Sequence, residues 1–112
     1  MPEAVKADLS LLVLAVLARG SMHGYAIARQ IEARSRSALQ AREGALYPAL
    51  RALETDGLVA GQWETPASGP ARRVYSLTAA GRTALQKRTT AWQAYVSAVQ
   101  SVLGGRPSGQ AV

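Results

Sequence analysis

From residue 9 to residue 18 the chain is apolar at every position except Ser10, which gives a helix hydrophobic on nearly every face and so one covered from more than one side. Asp8 stands before this block as a capping residue and Gly20 after it as a terminator, predicting a first helix over residues 8–19. Ser21 is placed to cap a second helix, in which Ile27 and Ile31 repeat on one face while Arg29, Glu32 and Arg36 stay outside; Ser35 to Ser37 end it. A third helix covers residues 43–56. Its core face is Leu46, Leu50 and Leu53, at i, i+4 and i+7, and Gly57 suits the left-handed position beyond its end. Pro48 is tolerated only near a helix start, which puts the first turn at Glu43 or Gly44. The complementary stripe Gly44, Tyr47, Pro48 and Arg51 faces away from the leucines.

The period then changes. Residues 58–65 and 72–77, rich in Val, Trp and Tyr, read as two strands of a hairpin around the turn-forming stretch 66–71. Thr78 caps a last helix reaching about Leu103, where Gly104, Gly105 and Pro107 stop it. Within it Leu85, Thr89, Trp92, Val96, Val99 and Leu103 are spaced 4, 3, 4, 3 and 4, a heptad seam that needs a partner helix. At ~1.5 Å per residue this helix is roughly 39 Å long, more than so small a body can cover.

Length and charge narrow the possibilities. The chain has 112 residues, enough for one small domain, and its hydrophobic share of 48% supports a core. It has no Cys, which removes disulfides, thiolate metal sites and thiol nucleophiles and fits a reducing compartment, the cytoplasm. The apolar opening block is about half the length of a membrane span. Glu3 and Asp8 against Lys6 give it no positively charged leader, so a buried helix is expected there and no membrane partner. With His23 alone and no spaced pair of acids at a cleft, no enzyme and no cofactor or metal is expected. The formal net charge is +6; residues 1–64 hold seven bases and all seven acids, so the excess lies entirely in residues 65–112. Such a balance points to a polyanionic partner.

Three helices followed by a β-hairpin is the order of a winged helix-turn-helix, and the third helix stands where a recognition helix stands. Its stripe carries chemistry suited to a major groove: Gly44 permits close backbone approach, Tyr47 offers a hydroxyl and a ring, and Arg51 a guanidinium for guanine or phosphate. Arg72 and Arg73 lie at the wing's edge, on opposite faces of their strand, so only one of them reaches DNA at a time. Taken singly, the stripe also reads as a solvated helix face and the paired arginines as solubilising residues. Their joint placement favours DNA.

Three stretches carry a more specific likeness. His23-Gly24-Tyr25, then residues 43–50 with 53–59, then residues 69–81 closely resemble the PadR family of bacterial transcriptional regulators, over about residues 9–103. Ala45 stands where many relatives have Thr, and Val74 where an aromatic residue is frequent. The resemblance implies a homodimeric repressor that binds a palindromic operator in double-stranded DNA and releases it when an effector binds or the dimer rearranges. It also implies DNA contacts at Tyr25, Arg42, Gly44, Ala45, Tyr47, Pro48, Arg51, and Arg72 or Arg73. His23 has two readings, a hydrogen-bonding residue at a helix start or a sensing or metal-binding residue.

The fold expected is mainly α with a small β component. Residues 1–78 form the winged helix-turn-helix, 79–103 the dimerisation helix with its interface at Leu85, Thr89, Trp92, Val96, Val99 and Leu103, and 104–112 a flexible tail. Trp92 sits mid-seam. One reading is buried interface area. The other comes from the resemblance: short members of the family, multidrug sensors among them, bind flat aromatic compounds between paired tryptophans, which would put a small hydrophobic effector against Trp92, Val96 and Val99 with Leu11 and Ala15 as walls. With no carboxylate between Thr65 and Val112, this helix has no counter-ion for a cationic ligand. Two alternatives stay open: a winged-helix module serving only protein association, and a DNA-binding regulator whose input is a protein or a metal.

Overall fold

The computed structural model describes residues 2–105, as α1 (Pro2–Leu17), β1 (Met22–His23), α2 (Gly24–Arg34), α3 (Glu43–Thr55), β2 (Val59–Glu64), β3 (Arg72–Leu77) and α4 (Ala79–Val102). Residues 106–112, and with them Arg106 and most of the expected tail, lie outside the described residues. The chain is mainly helical with one small antiparallel sheet, the fold class predicted by its patterning.

Two helix starts differ from expectation. Helical backbone runs through Asp8 to Pro2, so Asp8 does not cap α1. A proline at the first helical position has its φ already set and loses no useful N–H, which makes it a good start. α2 begins after His23, whose Nδ1 accepts the N–H of Ala26 at 3.4 Å, and not after Ser21. Ser21 hydrogen bonds Ser76 instead, at 2.7 Å between hydroxyl oxygens. The reason is a third strand that patterning does not reveal: Met22 and His23 pair with Tyr75 and Val74, giving the order β1-β3-β2. Two residues are too few to show a period.

The remaining elements fall where their residues direct. The hairpin keeps one register from Val59 opposite Leu77 to Glu64 opposite Arg72. α3 stops at Thr55 because Gly57 takes a left-handed φ of 74°. Thr78 caps α4 through Gly81 N–H at 3.0 Å and donates back to the Gly57 carbonyl at 2.7 Å, tying the start of the long helix to the end of α3.

The core sits between α1, α2, α3 and the inner face of the sheet. Val13, Leu14, Val16 and Leu17 of α1 meet Ile27 and Ile31 of α2, the three leucines of α3, Val59 and Tyr75. α1 is thus the central helix, which explains its apolar residues on more than one side. On α4, Gly81 is buried beside Leu58 and Leu77, and Leu85 packs against this core. Beyond it α4 projects, and the chain measures 59 × 28 × 25 Å. No helix among the described residues is long and apolar enough to cross a membrane.

Candidate nucleic-acid interface

α3 separates its residues by face. With Leu46, Leu50 and Leu53 buried, Gly44, Ala45, Pro48 and Arg51 are exposed on the other side. Pro48 lies within the helix and has no N–H to give the Gly44 carbonyl, so an acceptor is left unpaired by the helix between two exposed residues.

Tyr47 departs from this stripe. Successive helical residues are ~100° apart, which sets it only roughly 60° from Leu50, at the edge of the core face. Its ring is half buried against α2, where Gly24 makes room: a Cβ at Gly24 would stand 2.6 Å from the Tyr47 hydroxyl oxygen. Burial, then the Glu43 carboxylate and Tyr75, push the phenol above its ordinary pKa, so it stays a neutral hydroxyl able to donate. Tyr47 joins α2 to α3 and presents an edge, not a whole side chain, to the outside.

Beside the start of α3 is a groove lined by Tyr25, Ala28, Arg29, Glu32, Arg42 and Glu43, among others. Arg42 is the N-cap residue of α3, with no side-chain capping bond and an exposed guanidinium. Arg29, expected on a solvated face, belongs to this constellation. It donates to the Tyr25 hydroxyl at 3.0 Å, and its guanidinium carbon lies 5.7 Å from that ring's centroid. The hydrogen bond to Tyr25 holds the Arg29 pKa above its ordinary value. Tyr25 in turn stacks on the His23 ring, 6.4 Å between centroids and 6° from parallel. The Tyr25–Arg29 spacing of i, i+4 was the signal available in the sequence. His23 itself acts as the cap of α2 and as the base of this stack.

The two wing arginines part company. Arg72 is exposed, opposite Glu64 at the turn end of the hairpin. Arg73 makes a salt bridge to Glu54 of α3, the one ion pair among the described residues, and its guanidinium lies between Trp63 and Tyr75. Glu54 is therefore matched by the wing and not by Arg42 or Arg51.

On α4, Trp92 is half buried and its ring lies 5.8 Å from that of Tyr95. Thr89, Val96 and Val99 are also half buried, while Leu103 is exposed. Val99 belongs to a wholly apolar strip with Tyr95, Ala98, Val102 and Leu103. Ala15 lies elsewhere, in a cleft between α1 and α2 with Leu12, Ile31 and Leu39, and Leu11 is half buried on the same helix. These are separate depressions of one chain.

The model of the "Transcriptional regulator PadR-like family" matches residues 13–87, from the middle of α1 to the first turns of α4. The chain belongs to the PadR family. Over 106 residues it is 36% identical to the transcriptional regulator Rv3488 of Mycobacterium tuberculosis, covering 95% of this chain and 92% of that one. A PadR family transcription regulator from hypervirulent Clostridium difficile is 28% identical with a TM-score of 0.71, covering 87% of this chain and 98% of the other. PadR of Bacillus subtilis, solved in complex with operator DNA, shares the fold at 22% identity and a TM-score of 0.65, over 71% of this chain and 46% of that longer one. The PadR family is one of transcriptional regulators, not a class of enzymes.

Proposed function

We propose that this PadR-family protein is a ligand-responsive repressor that binds a palindromic operator as a homodimer in the cytoplasm. The observation that carries the reading is the division of α3, whose leucines are locked in the core while Gly44, Ala45, Pro48 and Arg51 stand free. A helix in this state can enter a major groove without rearrangement. Arg51 then reads a base edge or holds a phosphate, the edge of Tyr47 donates a hydroxyl, and Tyr25, Arg29 and Arg42 engage the backbone beside the helix start. Arg72, exposed on the wing, takes a flanking phosphate. The Bacillus subtilis relative in complex with operator DNA supports the same partner for this chain.

Residues 1–78 are the DNA-binding unit and 79–103 the dimerisation helix, with Leu85, Thr89, Trp92, Val96, Val99 and Leu103 on the seam. A two-fold dimer sets two α3 helices one DNA turn apart, ~34 Å, which matches a palindrome. Trp92, Val96 and Val99, facing their counterparts and walled by Leu11 and Ala15, form a flat apolar pocket that selects effectors by shape and π surface.

Selection of bound genomic fragments, followed by footprinting of the parent and Arg51→Ala, tests the reading. A palindromic footprint is expected, with Arg51→Ala losing affinity and relaxing preference at one position per half-site. An identical footprint and affinity for the variant would remove the stripe from the interface. Failure of the parent to retain any fragment, with no dependence on salt, would favour a protein-association module.

A further inference from the structure

The second wing arginine has a fitted place of its own. Arg73 leaves the central strand β3, crosses Gly61 on the edge strand β2, and ends on Glu54, one residue before the end of α3. Gly61 keeps that path open: a Cβ there would lie 2.5 Å from Arg73 Nε and 2.7 Å from one terminal nitrogen. The guanidinium carbon sits 5.8 Å from the centroid of Trp63 and 5.9 Å from that of Tyr75, on the faces of two rings that favour a cation. The Glu54 oxygen that receives Arg73 also accepts the backbone N–H of Gly61 at 3.3 Å. A carboxylate in the last turn of a helix opposes the helix dipole and is better placed when a cation compensates it. The Glu54 carboxylate therefore holds the wing twice, once at the Arg73 side chain and once at the Gly61 backbone N–H.

We propose that Glu54 and Arg73 are positioning residues that lock the angle between wing and recognition helix, so that the two meet DNA as one preformed surface. The inference rests on the DNA-binding reading for its consequence, though not for its geometry. Arg73 in this role neutralises no phosphate; that task falls to Arg72, and Arg73 acts on specificity by fixing where Arg72 and α3 stand relative to each other. Ordering the wing in advance removes an entropy cost from binding.

The experiment compares the parent with Glu54→Gln, Arg73→Gln, the exchanged pair Glu54→Arg with Arg73→Glu, and Arg72→Gln, each confirmed folded by circular dichroism. Affinities for a genomic fragment selected by the parent and for a scrambled duplex are measured across salt concentrations. Glu54→Gln and Arg73→Gln should lower the preference for the selected fragment about tenfold. They should leave the salt slope unchanged, the exchanged pair should regain much of the preference, and Arg72→Gln should lower the slope by about 1. A readout independent of DNA uses the Trp92→Phe background, in which Trp63 is the sole tryptophan: Glu54→Gln should make its emission more quenchable by acrylamide. Unchanged quenching overturns the lock whether or not the protein binds DNA. A fall in slope for Arg73→Gln equal to that of Arg72→Gln would make Arg73 a phosphate contact and overturn its positioning role. No binding by the parent, with quenching changed as expected, would strike the DNA reading and leave the lock standing.

Discussion

The body of the molecule and the distal half of α4 carry apolar residues at the same helical spacing, yet their fates differ. In the body each apolar stripe is covered by another element of the same chain: Leu14, Ile27 and Leu50 are 0% exposed, packed among α1, α2, α3 and the sheet. On α4 no residue beyond Gly81 is fully buried. Trp92, Val96 and Val99 are half buried, and at the far end Val102 and Leu103 are 86% and 78% exposed. Equal periodicity therefore does not mean equal burial. A stripe becomes core where another described element lies over it, and stays an exposed apolar strip where none does. The body is covered by its own elements, whereas the end of α4 keeps apolar side chains exposed.

That contrast can be broken at either end. The largest effect is expected in the body: Leu50→Ala, at a fully buried site, should lower the free energy of unfolding by about 2–5 kcal/mol in a denaturant titration. A loss of only a few tenths would mean that α3 is held by less than its leucine face. On α4, replacing Val96 and Val99 by Glu together should convert a dimer to a monomer in sedimentation while the body keeps its helical spectrum. An unchanged mass would show that the seam lies on another face. A smaller change is expected from Trp92→Ala, which should weaken binding of a flat aromatic ligand roughly tenfold, as removal of one stacked ring does; equal titrations of variant and parent would leave Trp92 a packing residue only.

The smallest effect concerns Tyr47, at the border of the two faces of α3. Its folded pKa is raised, chiefly by burial, so its neutral form is favoured in the folded state. The associated stability is fully present below the unfolded value, about pH 10, and is lost as pH rises through the folded one. Tyr47→Phe should then show a shallower loss of stability in alkali than the parent. Parallel curves would mean that the hydroxyl is as well solvated as in the unfolded chain.

Much of the architecture could be read in advance, because it rests on local rules. α3 began at Glu43 and stopped before Gly57, the hairpin fell within a residue of its expected bounds, and Thr78 capped α4. Asp8 and Ser21 misled as caps for one shared reason: a capping side chain is a local preference, and the start of a helix also depends on what the preceding residues do. α1 is already helical from Pro2, ahead of Asp8, and the pairing of Met22 and His23 with β3 delayed α2. The part Arg29 plays is not legible along the chain, because an exposed cation on a helix looks the same with or without a neighbouring groove.

The sequence by itself determined the order of the elements, the leucine face of α3, the likeness to the PadR family and the confinement of the excess charge to the second half. Those properties depend on spacing and composition, which are visible along a chain. Only the tertiary structure decided which of two adjacent arginines is free. Arg72 and Arg73 are chemically identical and one residue apart, and their difference comes from Gly61 and Trp63 on the facing strand of the wing and from Glu54 on α3. Tyr47 was decided in the same way, by the space that Gly24 leaves on a neighbouring helix. Side-chain fates of this kind depend on contacts between residues distant in sequence, and these exist only once the chain has folded.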